Sequence, residues 1–597
     1  MIYKFDIYKL LKSLYFSIAP FGTRRYRWSN KLIQKFLINF RPLNTQYRRW
    51  LRDVDVLNKQ RLGEIRDTIE KMSSPPLFSL VMPVYNPSLK FLAEAIESVQ
   101  EQYYPHWELC ISDDASTTPG VQELIQRYAR EDERIRYVFR EENGHISASS
   151  NSALELAIGE YVVLLDHDDL LPPQALYEVA QVILDHPDCE IIYSDEDKIT
   201  ESGRHFNPYF KPDFDPELLL NHNMVSHLGV YRLATVRKVG GFRLGLEGSQ
   251  DYDLLLRVLE QIRQDQVHHI SQVLYHWRVS SQSVAENINV KPYAITAGER
   301  ALNEHLVREG VKGRVAYRPD VTAYQVTYDI PEQHPLVEIV LILTTEEMNV
   351  DRFRNLLDNT WYEPVRISLF LPANGSESYH EVLNSDSRIS VYMSNLMDDY
   401  QKALNAIVSR SEADFVCVLD EHFESLTPGW LERLLGQVIQ KGVGAVGSKV
   451  LGPYGLVHSN GLILQPDGAV SHLFEGKPEY YAGYFGWGQL QRGFSALSGE
   501  CVLVRRENYL AVGGLSDHLS LSDFVWVDFC LKLKELGLRN IVSPSVRLQL
   551  AHSNTKELHS KAVRKYLLEK WGSWFADDPA FNPNLCLKKG GIAINIK

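Results

Sequence analysis

The stretch YVVLLDHDDLL, residues 161–171, runs from four consecutive apolar residues, Val162 to Leu165, straight into acids. A short apolar run of this kind reads as a buried strand, and it delivers Asp166, Asp168 and Asp169 to the strand's open end. The same grammar appears twice upstream. FSLVMPVYN (78–86) is an apolar run stopped by Pro83, Asn86 and Pro87, and WELCISDDAS (107–116) ends in Asp113 and Asp114. Between and after these lie LKFLAEAIESVQEQ, VQELIQRYAREDE and ISASSNSALELAIG, which have helical spacing, and a further strand, IRYVFREE. Strands alternating with helices predict an α/β fold with a mostly parallel sheet. Ligands of such sheets bind beyond the carboxyl ends of the strands. The acid clusters fall at those ends.

A second cycle begins near Pro335. LVEIVLILTT, VRISLFLPAN, RISVYMSN, ADFVCVLDEH and VGAVGSKVLG repeat the rhythm. HLGVYRLATVRKVGGF (227–242) also echoes CVLVRRENYLAVGGL (501–515), a duplication at domain scale. The expected division is an extension over 1–76, a first α/β domain over 77–325, a second over 335–560, and a closing helix with an irregular tail over 561–597. Gly442, Gly444 and Gly447 match the dinucleotide pattern GxGxxG. Here, however, the glycines follow a helix and enter a strand, the reverse of the order that binding requires.

Of the chain's 63 Lys/Arg and 76 Asp/Glu, the first 52 residues hold twelve and one respectively. A bulk-acidic chain of 597 residues with a basic arm lacks the basic domain face of a nucleic-acid binder. The arm interleaves its cations with Trp28, Phe36, Tyr47 and Trp50, which suits peripheral contact with an anionic membrane as well as packing on the next domain. The six cysteines form no CxxC pair and sit mostly in apolar runs, as reduced thiols of a cytosolic protein do. No apolar stretch reaches the ~18–20 residues that span a bilayer. The expected location is therefore cytoplasmic, with the arm able to lie on the inner face of the membrane.

Two carboxylates held close together repel, and a divalent cation relieves the repulsion. Asp166 and Asp168, two apart in an extended chain, would face one site, and oxygen ligands suit Mn or Mg. Alone, the triplet reads equally as a solvated acidic loop. Asp113 and Asp114 can accept hydrogen bonds from a base or ribose, or form a simple Asx-turn. The ring of Tyr85 and the amide of Asn86, beside Pro83, can hold a base. In GSQDYDLLLRV, Asp251 and Asp253 open a helix, either as caps favoured by its N-terminus or with Asp251 as a general base. His276 and Trp277 end the strand VLYHWRVS, where His276 can complete a metal shell or contact a phosphate.

The segments PVYN, SDDAS, REENGHISASSN, LLDHDDLL, YSDEDK, FKPDF, SHLGVYR, GGFR, EGSQDYDLLLR and VLYHWR resemble the inverting family 2 glycosyltransferases, in the tandem-domain subgroup that builds bacterial surface polysaccharides (O-antigen and rhamnosyl-transferase-like enzymes). The likeness runs nearly continuously over residues 78–280, in the family's order. It implies two tandem GT-A-like domains, a nucleotide-sugar donor, a divalent metal, and a lipid-linked or polysaccharide acceptor. It assigns Asp113 or Asp114 to the nucleotide, Asp166 to the ribose or metal, Asp168 to the metal, Asp251 to the base, and His276 to a late metal or diphosphate contact. Ser226 and His227, with Asp253 and Trp277, fall near the acceptor.

The second half resembles the same family in TPGWLERLL, VHSNGLIL and SALSGECVLVRR but departs where chemistry matters. Its strand-end motif is Asp420-Glu421-His422, and Trp526 stands where the base is expected. An indole can neither take that proton nor bind the metal, so a degenerate domain is expected. Two rival readings are a non-catalytic glycan-binding or scaffold protein and a sugar nucleotidyltransferase. The latter wants a Gly-rich basic loop after the first strand, which MPVYNPSLKF lacks.

Overall fold

The computed structural model describes residues 42–55, 59–279, 292–343, 350–372, 386–394, 400–517, 519, 523–552, 561–588 and 590–596. The basic arm before residue 42, with Trp28 and Phe36, lies outside the described residues.

Helices α1 (Pro42–Asp53) and α2 (Lys59–Lys71) lead into strand β1 (Phe78–Val84). There follow α3 (Leu89–Gln100), β2 (Trp107–Asp113), α4 (Val121–Glu131), β3 (Ile135–Phe139), α5 (His145–Leu156), β4 (Tyr161–Leu164) and α6 (Ala175–Asp185). Next come β5 (Ile191–Thr200), β6 (His205–Tyr209), α7 (Pro216–Leu219), β7 (Gly229–Arg232), α8 (Leu233–Lys238), α9 (Gln250–Leu259) and β8 (Val267–Val279). The sheet order is β3-β2-β1-β4-β7-β5-β6, with β8 on β5. Strands β1 to β4 are mutually parallel where they pair, β7 runs antiparallel between β4 and β5, and β8 is parallel to β5.

The apolar continuity of β1 and β2 has a direct cause: helices cover both faces of this sheet, so neither face tolerates polar residues. α3 shows the matching helical code. Leu92, Ala95, Ile96 and Val99 are its buried apolar residues, spaced i, i+3, i+4 and i+7. Truncating Ile96, wholly buried in this layer, to alanine would cost about 2–5 kcal/mol.

The second half repeats the plan. Val337–Ile342, Val365–Pro372 and Ile389–Ser394 run parallel, and Phe415–Leu419 joins on the other side of Val337–Ile342. Cys501–Arg505 is antiparallel between Phe415–Leu419 and Val443–Gly452, and Arg539–Leu550 runs parallel to Val443–Gly452. This is the order of β3-β2-β1-β4-β7-β5-β8. Side-chain joints repeat too. Asn151 Oδ1 accepts from the Phe242 amide at 2.8 Å, and Asn405 Oδ1 accepts from the Leu515 amide at 2.9 Å. In both places the preceding glycine, Gly241 or Gly514, has φ 67°. A side chain there would be strained and would also strike the asparagine. Val443–Gly452, which carries Gly444 and Gly447, is a buried strand behind helix Trp430–Val438.

The halves are joined by buried polar contacts. Tyr484 donates to the Pro208 carbonyl at 2.7 Å and accepts from the Phe210 amide at 2.9 Å, while Asp215 accepts from the Gly493 amide at 2.8 Å. Two expectations need correction. Tyr47 and Trp50 are buried and packed on Phe210, with ring centroids 6.1 and 5.1 Å away, so these two rings belong to the core and offer no interfacial face. After helix Lys561–Ala576, part of the supposed irregular tail forms a hairpin of Leu585–Lys588 and Gly591–Ile594. Among the described residues no helix is long and apolar enough to cross a membrane.

Candidate active site

The ends of β1, β2 and β4 are adjacent because β1 lies between the other two, with Val84 level with Asp113. At the end of β2 the two acids have separate fates. Asp114 accepts from Arg140 Nε at 2.7 Å and from the Gly144 amide at 3.0 Å. Asp113 is wholly buried, and both its carboxylate oxygens lack a protein partner. A buried carboxylate without a donor is costly, so it marks a place for a ligand's N–H or O–H groups. The sequence left the two acids as alternatives, and the structure separates them through an arginine 26 residues downstream.

Beside Asp113, Tyr85 is exposed and Pro83 half-buried. Asn86 is turned inward. Its Oδ1 accepts from the Thr117 and Thr118 amides at 2.7 and 3.0 Å, so it pins the loop after β2 instead of reaching outward for a base.

Strand β4 ends at Leu164, two residues before Asp166, so Asp166 and Asp168 do not lie in the extended chain expected for them. The Asp169 amide donates to the Asp166 carbonyl at 3.3 Å, closing a four-residue turn. That turn brings Asp166 and Asp169 together. Asp169, named from sequence only as one of the strand-end acids, had no role assigned to it. It accepts from Tyr275 Oη at 2.6 Å and from the Arg278 amide at 2.7 Å. Burial, with Asp168 and Asp166 adding repulsion, pushes Asp169 well above the usual carboxylate range. Burial raises Asp166 as well, with Asp168 adding and His227 opposing. The Asp168 carbonyl accepts from Arg278 Nε at 2.7 Å.

Opposite these acids stands the first turn of α9. Burial raises Asp251, His227 opposes, and Asp166 adds repulsion. Asp166 and Asp251 thus feel each other and share one imidazole neighbour. Asn223, unremarked in the sequence, donates to Asp251 Oδ2 at 2.9 Å and accepts from the Ser226 amide at 3.2 Å. The His227 ring stacks on Tyr275 with centroids 4.4 Å apart and meets Trp277 edge-on at 5.4 Å. Lys198 Nζ lies 4.4 Å from the Trp277 ring centroid.

Asp253 is not brought to this site. Wholly buried, it pairs with Arg243 and with Arg257, the latter at 2.8 Å, and so belongs to the interior behind the cleft. His276 is also elsewhere. Side chains alternate along β8: Tyr275 and Trp277 meet His227, whereas His276 Nδ1 meets Asp197 at 2.6 Å and its ring meets His205. Asp197 accepts further from Tyr47 Oη at 2.6 Å and from His205 Nδ1 at 2.7 Å, and Asp197, His205 and His276 form a second group whose ligand atoms lie within 4.8 Å of one another. Burial pushes Asp197 up, but His276 and His205 together hold its carboxyl below the usual range.

The fit of the cleft to a divalent cation rests on its donor set. Asp166, Asp169 and His227 each bring a ligand atom within 4.8 Å of the others, and two burial-raised carboxylates gain from a positive charge. Both Asp169 oxygens already have donors, which leaves Asp166 and His227 as the better-placed ligands of the group.

In the second half the corresponding places are filled differently. Asp420 Oδ1 accepts from the His422 amide at 2.7 Å and meets its Nδ1 at 3.0 Å. Trp526 is buried against Gly499, where an added Cβ would lie 1.9 Å from Nε1. Two residues on, buried Asp528 meets Lys570 at 2.7 Å and Trp571 Nε1 at 2.9 Å. Asp528 thus repeats the structural role of Asp253, while Trp526 occupies the position of Asp251.

Residues 79–240 match the model described as Glycosyl transferase family 2. The chain is 40% identical over 550 residues to the uncharacterized protein y4gI of Sinorhizobium fredii, covering 89% of this chain and 60% of that one. It is 31% identical over 540 residues to the O-antigen biosynthesis protein RfbC of Myxococcus xanthus, covering 88% of this chain and 42% of the relative. The chain therefore spans less than two thirds of either relative. Among solved structures it is similar to S. aureus TarS residues 1–349 in complex with UDP, at 23% identity and TM-score 0.32 over 39% of this chain and 65% of that one. The sheet order, the acids at its strand ends and the family match agree on a glycosyl transferase family 2 domain over residues 79–240, and the second half repeats its strand order.

Proposed function

We propose that the chain transfers a sugar from a nucleoside-diphosphate sugar to a hydroxyl of a surface glycan or its lipid-linked precursor, with inversion at the anomeric carbon. The observation that carries this reading is the gathering of Asp251, Asp166 and His227: Asp166 and His227 bring ligand atoms within 4.8 Å of each other, and Asn223 ties Asp251, at 2.9 Å, to the Ser226 amide beside His227, at 3.2 Å. Asp113 receives the nucleotide through its two unpartnered oxygens. Asp251 takes the proton of the acceptor hydroxyl as that oxygen attacks from the face opposite the diphosphate, and Asn223 holds the carboxylate in place. Its raised affinity for protons makes it a stronger base than a free carboxylate.

Asp166 and His227, with Asp168 beside them, would hold a divalent cation, Mn or Mg, which when bound neutralises charge on a departing diphosphate. Tyr275 and Arg278 hold Asp169 behind this group and keep the turn fixed. The name of the Myxococcus relative, an O-antigen biosynthesis protein, supports a surface polysaccharide as the acceptor. The unit that acts is residues 77–325. Residues 335–560 form a second, degenerate domain, because an indole fills the base position and Asp420 is turned onto His422.

The test is a panel of nucleotide sugars incubated with and without glycan acceptor, reading release of the nucleoside diphosphate. Turnover should stop with EDTA and return with Mn or Mg. Nucleotide binding without turnover on any donor and acceptor would favour a glycan-binding scaffold instead.

A further inference from the structure

The C-terminal segment reaches across the molecule into the support of the cleft. Asn582, 2% exposed, donates through Nδ2 to both oxygens of Asp195 at 3.0 and 2.9 Å and to the Lys211 carbonyl at 2.8 Å. Asp195, wholly buried on β5, also accepts from the Lys211 amide at 2.7 Å and meets His269 Nε2 at 2.9 Å. Asn582 therefore grips Lys211 from both sides of its backbone, once directly and once through Asp195.

The other end of Lys211 points at the cleft. Its ammonium, wholly buried, donates to the His227 carbonyl at 2.7 Å, to Glu196 Oε2 at 3.1 Å and to the Val225 carbonyl at 3.4 Å. Burying a lysine this deeply is expensive, and its neighbour Glu196 compensates only part of the penalty. Two of the three acceptors are main-chain carbonyls of the segment that carries His227, so the charge sets the path of that segment. The tail is itself anchored in the second half: Asp578 accepts from Ser495 Oγ at 2.6 Å and from the Leu464 amide at 2.8 Å. The Pro579 carbonyl accepts from the Asp213 amide at 2.9 Å, tying the tail to the first half.

We propose that Asn582 and Lys211 are positioning residues of the transfer site, and that the C-terminal tail, held by the second half, completes the support of His227. This rests on the transferase reading above. The second half then contributes to catalysis by fixing geometry, whatever its own active-site positions have lost. Groups that act by orienting a site residue typically change activity about 10–100-fold when removed.

The experiment uses the full chain and compares Asn582→Ala with Asn582→Leu, which deletes the donor but keeps most of the volume. Lys588→Ala, an exposed change on the same tail, is the control. The expected result is a fall in kcat of about tenfold or more, with the donor KM and the dissociation constant for the nucleoside diphosphate unchanged. Hydrogen exchange read by mass spectrometry should accelerate in peptides covering 223–229, with strand Val443–Gly452 as protected as before. The control should match wild type in every readout. Wild-type kcat in either folded Asn582 variant, or unaltered exchange over 223–229, overturns the proposal. So does a fall in kcat matched by an equal loss of nucleotide affinity, which would mark a general loosening. Absence of turnover in the wild type would contradict the transferase reading instead, and the exchange readout would still decide for or against the tail's grip on His227.

Discussion

Replacing Asp253 with alanine should damage the fold, whereas replacing Asp251 with asparagine should damage only turnover, although the two acids lie two residues apart in the same helical turn. Asp253 is wholly buried between Arg243 and Arg257, and the Arg257 side chain is only 8% exposed. Removing the carboxylate leaves a buried guanidinium without its counter-charge, which typically costs about 3–5 kcal/mol. The lower end applies here. Arg257 keeps the carbonyls of Val239 and Gly241, at 2.7 and 2.6 Å, and Arg243 keeps Glu304 at 2.7 Å. At about 2–4 °C per kcal/mol for a domain of this size, the first thermal transition of Asp253→Ala should fall by about 6–12 °C.

Asp251 works in the opposite sense. Its folded-state affinity for protons is raised, so its ionised form at neutral pH opposes folding, and that opposition is lost as pH falls through the folded pKa to the lower unfolded one. Asparagine removes the charge while keeping an oxygen for Asn223. The thermal midpoint at pH 7 should therefore hold or rise, while kcat falls by about 10²–10⁴-fold. Circular dichroism on heating and nucleotide release in steady state measure the two effects. A stable Asp253→Ala together with a destabilised Asp251→Asn would refute the division of roles.

Three further outcomes follow from the geometry. Asp113→Asn should weaken nucleoside-diphosphate binding by calorimetry by about 1.5–3 kcal/mol, the worth of hydrogen bonds to a charged group, with no loss of thermal stability. Gly499→Ala places a Cβ 1.9 Å from the Trp526 indole nitrogen and should destabilise the second half by about 1–3 kcal/mol through overpacking; wild-type stability would show that the indole moves freely. Because the base must be ionised and burial raises its pKa, the acid limb of kcat/KM should lie above the ordinary aspartate value of about 4. A limb at or below that value would exclude Asp251 as the titrating base.

Much of the sheet was legible because its strands are buried on both faces and therefore appear as plain apolar runs, as in FSLVMPV and WELCISD. The rim of acids was legible for the same reason: a polar residue directly after such a run must lie at a strand end. Assignments within the rim depended on partners distant in sequence. Arg140 engages Asp114 and leaves Asp113 open, and Arg243 and Arg257 draw Asp253 inward. The choice between His227 and His276 turned on strand alternation, since only the faces of Tyr275 and Trp277 meet the cleft. One clue was present and unused. The duplication keeps Asp528 where Asp251's counterpart has become Trp526, which already marks the second acid of the pair as structural. Asn223 and the Asn582 contact carried no signal, because a single amide in an irregular segment has no pattern to betray it.

The central claim is that chemistry belongs to the first half alone. The most direct measurement is the rate of nucleotide-sugar turnover in full-length Asp251→Asn beside full-length Asp420→Ala, under one donor and acceptor. The account predicts loss of turnover in the first and near wild-type rates in the second. Retained activity in Asp251→Asn with loss in Asp420→Ala would place the working site in the other half of the molecule.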